Sequence, residues 1–100
     1  MAIMKKITRS DQDIYVVHCP GCGQRHQIRT RGPEPRWGFN GDMEKPSFTP
    51  SLLVNGSEPD RRCHSYITNG QWIFLRDCYH ELDGKTVDLP DRPEWDGPDA

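Results

Sequence analysis

The chain has 100 residues, of which only 33% are hydrophobic, and its formal net charge is −2. A chain of this length forms at most one domain, and so few apolar residues build only a thin core. The weak negative charge excludes a general electrostatic attraction to nucleic acid or to an acidic membrane surface. The chain also contains 4 cysteines and 4 histidines, so we expect a metal ion to supply stability that the core cannot.

The first residues carry no export signal that would place the cysteines in an oxidising compartment. No apolar stretch of signal-peptide length follows Lys5 and Lys6, and the longest apolar runs, at residues 52–54 and 72–75, are too short to span a membrane. We therefore expect a cytoplasmic location without membrane attachment. In that compartment thiols stay reduced, and a cysteine-rich pattern indicates metal binding or catalysis rather than disulfides.

Strand signals follow one another along the chain, and no segment shows a sustained helical period. β-Branched and aromatic residues predict strands, in chain order, at residues 13–18, 26–30, 36–40, 51–55, 64–68, 71–76 and 85–89. Prolines at positions 46 and 50 argue against a long regular element between them. Asn69-Gly70 predicts a type I′ hairpin turn between two of these strands.

The fold class predicted from these signals is all-β. We expect a small zinc-ribbon-like antiparallel domain over residues 1–90, with long loops and at most one helical turn, at residues 77–82. Residues 91–100 hold acidic side chains and prolines without a strand pattern, and are expected to form a flexible tail. A thin core is also compatible with a homodimer.

The segment Cys19-Pro20-Gly21-Cys22-Gly23 is a Cys-x-x-Cys motif between two predicted strands. Two thiolates at this spacing can bind one tetrahedral ion from a tight turn, and the glycines permit the dihedral angles that such a turn requires. A redox pair of the thioredoxin type would need a helix after the motif, and residues 23–26 predict none. The motif therefore indicates one half of a Zn2+ site.

The second half of the site is predicted from the hairpin register. With Asn69-Gly70 as the loop, counting outward along both strands places Cys63 and His64 beside residues 77–80. Because side chains alternate between the two faces, Cys63 shares a face with Trp72, and His64 lies on the other face. Our first choice of ligands is Cys19, Cys22, Cys63 and His80. Cys78 in place of His80, or His64 in place of Cys63, remains open.

The remaining histidines leave an enzymatic alternative open. If Cys78 completes a closed site, then His26, His64, His80 and Asp77 would lie near one another and could hold a second metal ion that activates water for hydrolysis. Asp77 can instead orient a ligating histidine, and His26 can be an additional ligand or an ordinary strand residue. No His-Glu-x-x-His, Gly-x-Ser-x-Gly or glycine-rich phosphate loop is present. We therefore favour a binding module over an enzyme.

A locally basic stretch raises the alternative of nucleic-acid binding. Residues 25–36 contain four arginines, and Trp37 and Phe39 could stack on bases. A solvated loop whose charge is balanced elsewhere explains the same stretch, and we prefer that explanation. Trp37, Phe39, Asn40 and Asp42 form a candidate recognition surface for a protein partner, although packing in the core is the simpler role for the two aromatic residues.

Several segments together resemble a family of small phage and prophage proteins of unknown function that are predicted to bind metal. The matching segments are residues 19–23 with His26, then 37–42, 46–51, 63–65, 74–80 and 84–90, in this order. Members are often called "ammonia monooxygenase", a name we reject because no copper site or membrane span appears here. Relatives outside phages lie beside genes for ubiquitin-like activation and conjugation. In this family the position of Cys78 can be serine, which favours His80 as the fourth ligand.

The resemblance implies a role in protein modification or antiviral defence. With the residue patterns, it predicts an all-β, zinc-binding phage or prophage protein that acts as a protein-interaction module in the host cytoplasm. A metal-dependent hydrolase that uses the His/Asp cluster and a nucleic-acid-binding zinc ribbon are the alternatives.

Overall fold

Two antiparallel β-sheets make up the computed structural model, which describes residues 3–90. The strands are β1 (Met4–Thr8), β2 (Asp13–Cys19), β3 (Gln24–Arg31), β4 (Gly38–Phe39), β5 (Phe48–Val54), β6 (Cys63–Thr68), β7 (Gln71–Phe74) and β8 (Thr86–Asp88). The first sheet has the order β1-β2-β3 and the second the order β4-β5-β6-β7-β8. Since residues 3–90 contain no helix, the predicted all-β class is confirmed. The expected tail at residues 91–100 lies outside the described residues.

The first sheet contains one strand that the sequence patterns missed. β1 pairs with β2 in a register that joins Met4 to Val17 and Thr8 to Asp13. Its central residues, Lys5 and Lys6, are depleted in strands, so the segment carries little strand signal. Lysine is nevertheless common on edge strands because its charge discourages pairing with another chain.

Within residues 3–90, no helix is long and apolar enough to cross a membrane.

The hairpin of β6 and β7 follows the predicted register. Thr68 pairs with Gln71 and Ser65 with Phe74. Asn69 and Gly70 have φ angles of 50° and 78°, the left-handed conformation that a type I′ turn requires at both central positions. The predicted second strand, at residues 71–76, is shorter in the structure because the chain leaves the ladder after Phe74.

The strand predicted at residues 51–55 begins three residues earlier in the structure. β5 begins at Phe48 and continues through Pro50 to Val54. Phe48 pairs with Ile67 of β6, but the next pair is Leu52 with Ser65, so β5 has two more residues in this interval than β6. Such a bulge interrupts the ladder, and a residue without an N–H is tolerated there. The predicted strand at 36–40 is reduced to Gly38–Phe39.

The inward-facing side chains of both sheets meet in one core. Trp72 and Phe74 stack with ring centroids 5.4 Å apart, and Phe39 and Phe48 stack at 4.8 Å. The core cluster contains Met4, Tyr15, Val17, Cys19, Ile28, Phe48, Leu52, Cys63, Ile67, Trp72, Phe74, Cys78 and Leu89. Along β6, buried and more exposed side chains alternate strictly. The inner face of β6 therefore belongs to the core and its outer face to solvent.

Candidate functional site

The Cys-x-x-Cys motif forms the turn of the β2–β3 hairpin. Cys19 is the last residue of β2, and its carbonyl accepts a hydrogen bond from the Gly23 N–H at 2.9 Å. Gly23 has a φ of 69°, which favours glycine. The Cys22 N–H donates to the Cys19 sulfur at 3.4 Å. The turn thus places both sulfurs in one cluster.

The structure brings together the four residues that were the first choice of ligands. One ligand atom from each of Cys19, Cys22, Cys63 and His80 lies within 4.8 Å of all the others. The Cys19 and Cys63 sulfurs are 3.9 Å apart, and the Cys63 sulfur lies 3.5 Å from His80 Nε2. A tetrahedral zinc ion, with bonds of about 2.3 Å to sulfur and about 2.0 Å to nitrogen, would separate these atom pairs by roughly 3.8 and 3.5 Å. The donor types and the spacing both fit one such ion.

His80 reaches the cluster because Gly21 leaves room for its ring. A Cβ atom at Gly21 would overlap the imidazole of His80. Phe74 packs edge-on against the same ring at 4.7 Å, and the Leu82 N–H donates to His80 Nδ1 at 3.3 Å. Ligation through Nε2 would require the tautomer with the proton on Nδ1, so the contact with Leu82 would be lost on metal binding.

The thiols of this cluster resist ionising together. The hydrogen bond with Cys63 lowers the pKa of Cys19 to about 3, and the same contact, with burial, raises the pKa of Cys63. Burial, followed by the charge of Cys19, raises the pKa of Cys22 to about 11. A divalent cation removes this conflict because it stabilises every thiolate that it touches. The electrostatics therefore agree with a cation site.

Two of the alternative ligands lie beside this cluster without belonging to it. The His26 side chain interacts with Cys19, and the Cys78 thiol with Cys63. His26 is buried and packs edge-on against Trp72 at 6.0 Å. Its Nε2 has no hydrogen-bond partner among the described residues. The Cys78 sulfur contacts the backbone of His64, accepting from its N–H at 3.2 Å and donating to its carbonyl at 2.9 Å. Burial raises the pKa of Cys78, which favours the thiol that this donation requires.

A second cluster, which the sequence patterns do not predict, lies on the outer face of the five-stranded sheet. Ser51 Oγ lies 3.0 Å from His64 Nε2, and His64 Nδ1 lies 3.1 Å from Asp77 Oδ2. Of the predicted group of His26, His64, His80 and Asp77, only His64 and Asp77 meet here, and His64 also contacts a serine hydroxyl. Within residues 3–90, the group of three or more potential metal ligands consists of Cys19, Cys22, Cys63 and His80.

Three elements position this second cluster. Ser51 lies within the β5 bulge, between Phe48 and Leu52, and its hydroxyl faces His64 of β6; bulges are common beside functional sites. Trp37 fixes the Ser51 backbone by donating from Nε1 to the Ser51 carbonyl at 3.2 Å. His64 projects from the outer face of β6, and Asp77 lies in the turn that follows β7. The side chains of His64 and Asp77 are 26% and 42% exposed, so a substrate can reach them.

The arrangement has the geometry of a Ser-His-Asp catalytic triad. A serine hydroxyl bonded to one imidazole nitrogen, and a carboxylate bonded to the other, can supply a nucleophile, a general base and an orienting group. Such triads are recognised by geometry rather than by sequence position, which explains why Ser51 was missed. A search for Gly-x-Ser-x-Gly could not find it, because Ser51 follows Thr49-Pro50 on a strand. Finding it requires the pairing of β5 with β6, which brings Ser51 beside His64.

The candidate recognition surface is only partly exposed. Trp37 and Phe39 pack against the core as partly buried side chains, the simpler role expected for them. Asn40 and Asp42 are exposed, and their side-chain oxygens accept backbone N–H groups within the loop at residues 40–47. Their role in binding a partner stays a prediction.

The basic stretch makes contacts within the chain. Arg31 forms an ion pair with Asp13 at 3.1 Å, and Arg36 forms one with Glu34 at 3.3 Å. Arg29 donates to Pro33 O. These contacts agree with the preferred explanation of a locally balanced loop, and nucleic-acid binding stays a prediction.

Comparison with known families agrees with the chemistry of the second cluster. A sequence model of the family described as "Bacterial ubiquitination-like system serine protease (BubE)" matches residues 2–75. The matched region includes Ser51 and His64 and ends just before Asp77. No curated protein and no solved structure matched the chain. The resemblance to relatives near ubiquitin-like conjugation genes is consistent with this family, while phage origin and cytoplasmic location stay predictions. Because the match covers well over half of the chain, the chain belongs to the BubE family.

Proposed function

We propose that this chain is a serine protease in which Ser51 is the nucleophile, His64 the general base and Asp77 the group that orients His64. The observation that carries this proposal is the continuous hydrogen-bonded chain of Ser51, His64 and Asp77, with contacts of 3.0 and 3.1 Å. The description of the BubE family as a serine protease supports the same chemistry. The expectation of a binding module without catalysis is replaced by this proposal.

The proposed reaction follows from the two contacts of the imidazole. Asp77 accepts a hydrogen bond from the Nδ1–H of His64, and this tautomer leaves a lone pair on Nε2 for the Ser51 hydroxyl. As the Ser51 oxygen attacks the carbonyl carbon of the substrate, its proton passes to Nε2. The imidazolium then gives that proton to the leaving amine, and an ester to Ser51 remains. Water, deprotonated by His64, cleaves the ester and restores the serine.

The outer face of the sheet suits a polypeptide substrate. Leu53 and Tyr66 are 54% and 42% exposed. Leu53 pairs with His64 across β5 and β6, and Tyr66 lies two residues beyond His64 on the same face. Exposed apolar side chains beside a nucleophile can pack against the residues that flank a scissile bond. We propose a substrate protein within a ubiquitination-like system, and this retains the predicted interaction with a protein partner.

For the inner cluster we propose one structural zinc ion. Cys19, Cys22, Cys63 and His80 would fill all four positions of a tetrahedral ion, and zinc with four protein ligands has no open position for water or substrate. The ion would therefore stabilise the fold and supply no chemistry to hydrolysis. Cys63 precedes His64 in β6, and His80 follows Asp77 by three residues. The ion would thus join the two segments that carry the base and the orienting carboxylate.

A covalent probe tests the proposed nucleophile without knowledge of the substrate. The oxygen of an activated serine attacks the phosphorus of a fluorophosphonate and displaces fluoride. The resulting phosphonate ester on Oγ can be located by peptide mass spectrometry. We expect the adduct on Ser51 in the wild type and no adduct in Ser51→Ala. Ser57→Ala is the matched control, because Ser57 is exposed on the loop after β5. A wild type without an adduct, or an adduct retained in Ser51→Ala, would contradict the proposal.

A further inference from the structure

We propose that Cys78 is a positioning residue for the catalytic base, and that its thiol holds the backbone of His64 while the neighbouring Asp77 holds the ring. This inference rests on the proposed function, since it assigns a role within the same triad. The sequence left Cys78 open as a metal ligand. The contacts of its sulfur lead to a different assignment.

The end of β7 explains why His64 needs this contact. The last ladder pair of the hairpin is Ser65 with Phe74. The Leu75 N–H still donates to the His64 carbonyl at 2.9 Å, but the chain then turns, and the Leu75 carbonyl accepts the Cys78 N–H at 3.3 Å. The turn brings the Cys78 sulfur to the His64 N–H, at 3.2 Å. A thiol thus takes the place of the backbone acceptor that a longer β7 would have supplied, and so avoids the cost of an unpaired N–H.

The same thiol also donates to the carbonyl of His64. The Cys78 sulfur lies 2.9 Å from that oxygen, which has two lone pairs and so can accept from Leu75 and Cys78 together. One short turn therefore holds His64 at its N–H, its carbonyl and, through Asp77, its ring. Cys78 is itself buried at 8% exposure, so its side chain has little freedom to move away.

These contacts of Cys78 and Asp77 with His64 matter because catalysis depends on the position of the general base. The distance from His64 Nε2 to Ser51 Oγ is set across two strands, β5 and β6, whereas Asp77 approaches from the turn after β7. A rotation of the His64 backbone would change both distances at once. A misplacement of about 1 Å within an active site can reduce the rate by about 100-fold. We therefore expect Cys78 to act on the rate of the chemical step through His64, without contacting the substrate.

Two substitutions separate the hydrogen bonds from the volume of the side chain. Cys78→Ser keeps a donor and an acceptor, while Cys78→Val fills similar space with neither. The first readout is the rate at which a fluorophosphonate labels Ser51. We expect Cys78→Val to reduce this rate about tenfold or more, and Cys78→Ser to keep it within about threefold of the wild type. Thermal unfolding and circular dichroism confirm that the variants fold, and Cys78→Ala replaces Cys78→Val if the latter does not.

The second readout is the far-downfield proton resonance of a histidine Nδ1–H bonded to a carboxylate. We expect this resonance in the wild type and in Cys78→Ser, and its loss or broadening in Cys78→Val. The measurement needs no turnover, so it tests the hold on His64 even if Ser51 proves not to be a nucleophile. Absence of labelling at Ser51 in the wild type would contradict the proposed function. The downfield resonance would then still test whether Cys78 positions His64.

Metal content is the third readout, measured on protein purified without chelator. We expect the same zinc content in the wild type, Cys78→Ser and Cys78→Val, because Cys78 is not among the four residues whose ligand atoms lie within 4.8 Å of one another, although it touches Cys63. Loss of zinc from folded Cys78→Ser would show that Cys78 is a ligand and would overturn the inference. A Cys78→Val variant whose Ser51 is labelled at the wild-type rate and whose downfield resonance is unchanged would overturn the inference as well.

Discussion

Cys63 and His64 are neighbours in β6, yet they belong to two different sites. Cys63 is 1% exposed and faces the core, where its sulfur lies 3.9 Å from that of Cys19. His64 faces outward and lies between Ser51 and Asp77. Alternation along one strand thus separates a closed, buried cluster from an open, hydrogen-bonded triad. The inner face can be devoted to stability and the outer face to chemistry, with one residue step between them.

From this division we expect metal binding by the inner cluster to make the largest single contribution to the free energy of folding. Cys19→Ala removes one thiolate and leaves three potential ligands, and structural zinc binding contributes about 10–16 kcal/mol in small domains, comparable to or larger than the whole stability of most domains. We expect the variant to lose zinc and to unfold at room temperature, as measured by elemental analysis and circular dichroism.

The matched control for this experiment is Cys78→Ser, which changes a buried cysteine outside the cluster. It should keep both zinc and fold. A folded Cys19→Ala protein that still binds one zinc ion would show that the ligand set is different.

The outer face should show the opposite pattern, with a large loss of activity at little cost in stability. Asp77→Asn removes the carboxylate that selects the His64 tautomer, and in a serine protease triad such a change can cost up to about 10⁴-fold in rate. Because Asp77 is 42% exposed, we expect a reduction of about 100-fold or more in the labelling of Ser51 by a fluorophosphonate. Zinc content and melting temperature should be unchanged.

Asp83→Asn serves as the control, since Asp83 is an exposed carboxylate a short distance further along the chain. Equal labelling rates in the two variants would mean that Asp77 does not orient His64.

A substitution at Gly21 tests whether the inner cluster depends on the placement of His80. In Gly21→Ala the new methyl group would overlap the imidazole, so the ring must move away from the three sulfurs. We expect zinc affinity to fall by about 10- to 100-fold, as for other changes that misplace ligands. Competition with a chromogenic chelator measures this affinity. Gly56→Ala controls for the backbone effect, because Gly56, like Gly21, has no positive φ and a Cβ there would meet only the exposed side chain of Leu53. An unchanged affinity in Gly21→Ala would exclude His80 as a ligand.

Only a small effect on stability is expected from truncating an apolar side chain on the outer face beside the triad. Tyr66 is 42% exposed, so Tyr66→Ala should lower the free energy of unfolding by less than about 1 kcal/mol. On the inner face of the same sheet, Phe74→Ala should cost about 3–5 kcal/mol because it leaves a cavity. Urea denaturation measures both values. Similar costs at the two positions would contradict the assignment of the inner face to stability and the outer face to function.

The inner cluster could be predicted in large part because its residues belong to short sequence patterns. Cys19 and Cys22 are three residues apart in one turn, and Asn69-Gly70 is a strong hairpin signal. Counting residue pairs outward from that turn places Cys63 beside the segment that contains His80. The alternation of side chains between the two faces then places Cys63 on the core face. The choice between Cys78 and His80 could not be made by counting, because β7 ends at Phe74 and the turn that follows has no regular period.

The triad could not be predicted in this way. Ser51 lies at the predicted start of a strand, but the structure extends this strand back through Pro50 to Phe48, and the position of Ser51 depends on a bulge in the pairing of β5 with β6. Neither a bulge nor the pairing of two strands joined by a long loop leaves a regular pattern in the sequence. β1 was missed for a related reason, because an edge strand rich in lysine carries little strand signal.

The amino-acid sequence by itself determined the all-β class, the register of the β6–β7 hairpin and most of the residues of the inner Cys/His cluster. These follow from short-range rules: side chains alternate along strands, turns need particular residues, and zinc ligands come in closely spaced pairs. Only the tertiary structure decided that Ser51, His64 and Asp77 meet, and that the Cys78 thiol holds His64. Those contacts join three segments far apart in the chain, and their distances depend on a bulge and on the point where a strand ends.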